Sequence, residues 1–343
     1  MLANASFPAL AGERGPARVA VLRALHLGDM LCAVPALRAL RAGFPDSELV
    51  LVALPWAREL VDRFDVYLDD LLELPGWPGL PEAPSPKGDD LARFLADART
   101  RQFDLALQLH GSGEVTNPLA LLLGARATAG FFRPGDWCPD PARFLPYPDD
   151  AHEVERLLRL VEFVGGERQG EALEFPLRDE DVEELRSLPG ADELDQDEYA
   201  CIHPGGRDAE ARWPPERFAA VADALARRGL RVVVTGTTSE MDTVEAAVRR
   251  MRLDPLVLAG QTTLGALAAL LAGSRLLVTN DTGVGHLAAA LHTPSILAFD
   301  EQKLERWGPR DSERCRVVLK DASAEEALAA ADALLRSLAA ARP

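Results

Sequence analysis

The sequence has no unbroken stretch of the ~18 apolar residues that a spanning helix needs, so it does not read as an integral membrane protein. Its cysteines are few and scattered: Cys32, Cys138, Cys201 and Cys315 form no C-x-x-C pair, which excludes a zinc ribbon or a redox motif and leaves reduced thiols as the expectation. The histidines, His26, His110, His152, His203, His286 and His292, include no HExxH and no close i, i+4 pair, so no metal centre is expected. G-x-S-x-G is absent, removing the clearest sign of Ser-His-Asp hydrolysis. G-x-G-x-x-G is absent too, which removes support for a dehydrogenase-type dinucleotide fold. No block of Lys and Arg interrupts a net charge of −17, so nucleic acid is disfavoured as a partner. The N-terminus MLANASFPALAGERGPAR lacks the cationic start, apolar run and small-residue cleavage site of a signal peptide, and the expected location is cytoplasmic.

What is present is a soluble composition, 48% apolar and 27% charged, in 343 residues, more than one hydrophobic core usually serves. Two domains are therefore expected. In the C-terminal half YACIH, RVVVTG, PLVLAG, RLLVTN and SILAF recur between helix-period segments. Such runs, apolar at every position, suit strands of a parallel sheet buried on both faces. Trp213-Pro214-Pro215 opens a helix that runs through Arg228 to Gly229, and Thr262 or Thr263 caps another carrying Leu264, Leu267, Leu270 and Leu271. ARVAVLR, SELVLVAL, DVYLDDLLELP, FDLALQLH and ATAGFF make a second set of strands in the N-terminal half, followed by a Pro-rich stretch from Arg133 to Pro148 and a helical segment near Glu153 to Val164. The Ala/Leu-rich end predicts a terminal helix. The expected division is residues 1–178 as a first α/β domain, 179–198 as an acidic linker, and 199–343 as a second α/β domain with the terminal helix.

Four segments carry candidate chemistry. In VLRALHLGDMLCAVPALRAL a strand turns through His26, Leu27, Gly28 and Asp29 into a helix; a carboxylate at a strand's C-terminal end faces ligand and can take a proton, or it can cap the helix. Pro35 interrupts that helix or delays its start. In VTNDTGVGHLAAALHTP a strand delivers Asp281, Thr282 and Gly283, then Gly285 and His286, to a helix start whose free amides can hold an anion; a capped tight turn is the plainer alternative. In CIHPGGRDAEARWPPERF, Gly205 and Gly206 make a turn, and Arg207 and Arg212 are cations able to neutralise a pyrophosphate or simply to sit in water. In VVVTGTTSEMD, Gly236 ends a strand and Glu240 follows, placed to accept ribose hydroxyls or to favour a helix start. The D-x-D triplets Asp179-Glu180-Asp181 and Asp195-Gln196-Asp197 fall in the acidic stretch and read as solvated surface.

Taken in order, these segments resemble glycosyltransferase family 9, the heptosyltransferases that use ADP-heptose in lipopolysaccharide core assembly. The resemblance spans nearly the whole chain and rests on Gly28-Asp29, Pro35-Ala36-Leu37, His203-Pro204-Gly205, Arg212-Trp213-Pro214, Gly236 with Glu240, Leu258-Ala259-Gly260, and Asp281-Thr282-Gly283 with His286. It implies an α/β GT-B fold, two Rossmann-like parallel-sheet domains facing a central cleft. It also implies inverting transfer without a metal or other cofactor, onto a glycan or glycolipid acceptor. Asp29 would be the general base, and Asp281, Thr282, Gly283 and His286 would hold the diphosphate and donor sugar. Glu240 would hold the ribose, and a lipid-linked acceptor would bring the protein to the inner face of the membrane. Where the family commonly has a cation two residues before Trp-Pro, this chain has Ala211; either Arg207 or Arg212 replaces that charge, or the donor is held more weakly, or the donor differs from ADP-heptose. The alternatives are a GT-B transferase using another nucleotide sugar, a catalytically silent nucleotide-sugar-binding protein, and a GT-B-like epimerase acting without an acceptor.

Overall fold

The structure, a computed structural model, describes residues 15–83, 85–196 and 198–341. Residues 1–14 of the N-terminal stretch weighed above as a leader, Asp197 of the second D-x-D triplet and the final proline lie outside the described residues. The chain divides into two compact units between Ala172 and Leu173.

In the first unit β1 (Arg18–Leu22), β2 (Glu48–Ala53), β3 (Asp70–Glu73), β4 (Leu105–Gln108), β5 (Ala127–Phe132) and β6 (Phe144–Pro146) form one sheet in the order β3-β2-β1-β4-β5-β6, every pairing parallel. The second unit repeats that winding. Its strands β7 (Tyr199–His203), β8 (Arg231–Val234), β9 (Leu256–Val257), β10 (Leu276–Asn280), β11 (Ser295–Phe299) and β12 (Cys315–Leu319) lie in the order β12-β11-β10-β7-β8-β9, again all parallel. In each sheet the strand order reverses beside the first strand, between β1 and β4 and between β7 and β10. Open α/β sheets bind ligands just beyond the strand ends at such a switch point.

Three of the strands read from apolar runs have both faces covered: β7, β10 and β11 are buried at every residue, while β3 and β9, also read, are edge strands. Helices supply the cover. Trp213, Phe218, Val221 and Leu225 pack beside Ile202 and Val234, and the terminal helix Ala324–Ala341 adds Ala327, Ala331 and Leu334 to the same cluster. The first unit's core sets Leu22, Val50, Val52 and Leu72 against Phe94, Phe103 and Leu119. β6 and β12, unforeseen in the sequence, are edge strands, and β12 is only partly covered.

The stretch 179–198 is not simply a linker. Asp179–Ser187 is a helix packed against Leu264–Gly273, and the Thr263 hydroxyl donates to Glu184 at 2.6 Å. Asp181 is correspondingly buried rather than solvated, and its carboxylate accepts from the Arg178 amide at 2.9 Å. It serves the start of its helix, the ordinary use of an acid in a first turn.

Candidate active site

Helix α1 (Leu27–Leu31) begins where β1 ends, with His26 as its N-cap and Asp29 in its first turn. Asp29 therefore does not cap the helix. Its carboxylate is half-buried and, among the described residues, has no hydrogen-bond or ion-pair partner. Pro35 sits in the first turn of a separate helix, α2 (Val34–Gly43), where its missing N–H costs nothing. The break between α1 and α2 at Cys32 and Ala33 is thus the interruption its position implied. On the other side of the switch point, the strand-end residue His110 is buried, and its Nδ1 accepts from the Ala24 amide at 3.2 Å. That bond fixes the ring as the Nε2–H tautomer.

In the second unit the helix Gly283–Ala290 starts directly after β10, with Thr282 as N-cap and its hydroxyl 3.3 Å from that of Thr279. The Gly285 amide is taken by the Thr282 carbonyl at 3.0 Å, and the amides of Gly283 and Val284, the first two of the helix, are those that can point at an anion beyond the strand ends. Asp281 precedes the cap, and the His286 ring meets Trp307 edge-on at 6.3 Å.

Across the switch point, the loop after β7 is held by two side chains from other strand ends. Asn280 is buried; its Nδ2 donates to the carbonyls of Pro204 at 2.9 Å and Gly205 at 2.8 Å, and its Oδ1 accepts from the Trp213 amide at 2.8 Å. Glu240 takes the Gly206 amide on one oxygen at 2.7 Å, and the Thr237 amide and hydroxyl on the other at 2.8 and 2.9 Å. The Gly205 backbone lies so near this carboxyl that a Cβ there would stand 2.4 Å from it, which only glycine avoids. Gly236, partly buried, places the start of the Glu240 loop.

The two candidate cations separate cleanly. Arg212 is committed to the loop: Nε donates to the Gly206 carbonyl at 2.6 Å and Nη1 to the Thr243 hydroxyl at 3.0 Å. Arg207 is exposed and, among the described residues, has no hydrogen-bond or ion-pair partner. Asn280 was missed in the sequence although it sits beside Asp281; its signal is an amide closing an apolar strand, where an unpaired polar group would be costly.

A model of glycosyltransferase family 9 (heptosyltransferase) matches residues 91–334. This chain belongs to that family. Among curated relatives, lipopolysaccharide heptosyltransferase 3 of Escherichia coli (strain K12) is 26% identical over 296 residues, covering 82% of each chain. Among solved structures, a glycosyl transferase family 9 protein from Veillonella parvula DSM 2008 superposes with a TM-score of 0.80 at 22% identity, covering 93% of this chain and 97% of the other. E. coli ADP-heptose lps heptosyltransferase II gives 0.72 at 20% identity, over 94% of this chain and 99% of the other. These likenesses show the fold, an α/β fold of the GT-B type built from two parallel sheets. Among the described residues of this family 9 glycosyltransferase no helix is long and apolar enough to cross a membrane, and no group of three or more His, Cys, Asp or Glu could hold a metal ion.

The electrostatics of both switch points favour fixed protonation states. Burial, reinforced by the Arg23 cation and opposed by Glu153, pushes the His110 imidazole down to about 3. Burial likewise holds His203 below its ordinary value, against the pull of Glu240 3.8 Å away. Burial alone would raise the Glu240 carboxyl, but His203 and the donors from Thr237 and Gly206 outweigh it and lower it.

From 6.5 down to about 3 the unfolded chain protonates His110 and the folded chain does not, so the unfolded state binds more protons and stability falls as pH drops through that window. The contribution is at most about 1.4 kcal/mol per pH unit. His110→Asn, which keeps an acceptor for the Ala24 amide, should flatten the pH dependence of the unfolding free energy obtained from urea titration by that slope. An unchanged slope would contradict the assignment of a neutral buried ring.

Proposed function

We propose that this glycosyltransferase moves heptose from ADP-heptose onto a lipopolysaccharide-type acceptor with inversion at the anomeric carbon. The observation that carries the reading is the pairing of an unengaged Asp29 carboxylate at the switch point of the first sheet with an anion-receptive helix start and a free arginine, Arg207, at that of the second. In this reading Asp29 accepts the proton of the acceptor hydroxyl as its oxygen attacks the anomeric carbon, and the bond from that carbon to the diphosphate breaks. The amides that open Gly283–Ala290, the Thr282 hydroxyl and Arg207 stabilise the charge that develops on the departing ADP. Asp281 and His286 line the donor sugar. Glu240 Oε2 is taken by both Thr237 donors, but Oε1, which accepts only from the Gly206 amide, keeps lone-pair capacity for a ribose hydroxyl. A relative named a lipopolysaccharide heptosyltransferase and a structural neighbour titled with ADP-heptose support the choice of donor and acceptor.

Arg207 takes the place of the cation that Ala211 cannot provide, and Arg212 braces the loop that carries it. Arg207→Ala should weaken ADP binding about tenfold, the loss of one charge-assisted contact to phosphate, with an unchanged melting temperature. Arg212→Ala should lower the melting temperature as well. Calorimetry with ADP-heptose and with UDP-, GDP- and dTDP-sugars tests the whole reading. Selective ADP-heptose binding, weakened by Thr282→Ala, is the predicted result, and selective binding of another donor would overturn the heptose assignment.

A further inference from the structure

The short helix that carries Asp29 ends in a tightened turn. The Ala33 amide, which would close the next turn onto the Asp29 carbonyl, bonds the Met30 carbonyl instead, and the Cys32 amide bonds that of Gly28. The Asp29 carbonyl is thereby left without a main-chain donor, and a helix-end carbonyl in a half-buried place needs one. Arg23, one residue past β1, supplies it twice, with Nε at 3.0 Å and Nη2 at 2.6 Å.

The guanidinium is 1% exposed, so its charge must be balanced inside the protein. Its Nη2 also meets Glu153 Oε1 at 3.1 Å, while Nη1 donates to the Leu109 carbonyl at the end of β4 at 2.5 Å. The other Glu153 oxygen takes Arg156 Nη1 at 2.7 Å. Arg156 in turn donates to the Pro148 and Ala151 carbonyls and lies over the Tyr147 ring at 4.4 Å. The main chain of Asp29 is therefore tied through one planar cation to the end of β4 and to the start of the helix Glu153–Phe163. None of this buried machinery touches the Asp29 carboxylate itself.

We propose that Arg23 is a positioning residue for proton abstraction, with the chain Arg23–Glu153–Arg156 fixing the backbone of Asp29 so that its carboxylate stays aligned on the acceptor hydroxyl. The inference rests on the reading of Asp29 as the base. A single-point ammonium cannot reproduce the planar fork that reaches three elements, so Arg23→Lys keeps the charge and loses the alignment. It should lower kcat about 10- to 100-fold, the usual cost of a small misplacement, and leave the acceptor KM and ADP affinity within about twofold.

The deciding measurement is a double-mutant cycle. In an Asp29→Asn background, Arg23→Lys should change the residual rate less than about twofold, because there is no longer a base to align. An equal loss in both backgrounds would mean a merely structural role and overturn the proposal, as would full kcat in folded Arg23→Lys protein. If Arg23→Lys does not fold, Glu153→Gln, which keeps the shape and neutralises the middle of the chain, takes its place in the cycle with the same two outcomes. Should Asp29→Asn alone retain wild-type kcat, the reading of Asp29 as base fails first, and that failure is visible before Arg23 is touched.

Discussion

Asp29→Asn is expected to lower kcat about a thousandfold while leaving ADP affinity and melting temperature unchanged. The replacement keeps the size and shape of the side chain and removes only its ability to accept a proton. Stability should hold because the carboxylate neither caps α1 nor has a partner among the described residues. The single stabilising contribution lost is that of an acid in a helix first turn, about 0.5 kcal/mol. ADP affinity should hold because the residues proposed for the donor all belong to the other unit. Steady-state transfer rates, with calorimetric titration of ADP and a thermal melt on the same preparations, check all three expectations. A variant that loses ADP binding along with turnover would show that Asp29 acts on the donor, and retained kcat would end its role as base.

The second large effect is expected at Asn280. Its amide joins the loop after β7 to the start of the helix Pro215–Arg227, using both amide hydrogens and the carbonyl oxygen. Asn280→Ala would leave the Trp213 amide and the Pro204 and Gly205 carbonyls without this partner, and buried unsatisfied groups of that kind cost about 3 kcal/mol in total or more. The melting temperature should fall by roughly 8 °C, the shift such a loss gives in a domain of this size. The same loop carries Arg207, so ADP affinity should fall with it, by at least about tenfold. Asn280→Asp is the sharper test. It preserves volume but turns a carboxylate oxygen toward two carbonyl oxygens, and should be at least as damaging at neutral pH. Unchanged melting of both variants would show that the loop is held by Glu240 and Arg212 alone.

The contrast between these two residues shows what the sequence could disclose. Asp29 was legible because a Gly-Asp turn follows an apolar strand within a few positions, and local patterns of that kind are readable from spacing. The choice between cap and base was not legible, since both put an acid at a helix start. His26 occupying the N-cap removes the first of these and leaves the carboxylate open to the role proposed for it. Asp281, Thr282 and Gly283 were legible for the same local reason. Arg23 and Glu153 are 130 residues apart, and nothing in either neighbourhood announces that an arginine at a strand end will meet an acid at a distant helix start. Only the sheet order, which brings β1 and β4 together and packs α2 against the helix Glu153–Phe163, creates that pair.

The same division holds for the fold. The strands buried on both faces were read correctly, because continuous apolar runs are what a covered parallel strand requires. Two edge strands were not: β6 hides in a Pro-rich stretch and β12 is half-covered, so neither shows a long apolar run, whereas the edges β3 and β9 were read. The acidic stretch read as a linker misled for an electrostatic reason. Acids at Asp179, Glu180 and Asp181 suit a helix N-terminus as well as they suit solvent, and here they open a helix whose Leu185 is buried.

The most direct test of the central claim is mass spectrometry of a heptose-deficient lipopolysaccharide core acceptor incubated with the purified protein and ADP-heptose. The predicted result is a gain of one heptose on the acceptor, matched by release of one ADP and absent with Asp29→Asn. An acceptor left unmodified by ADP-heptose, but glycosylated when another nucleotide sugar is supplied, would contradict it.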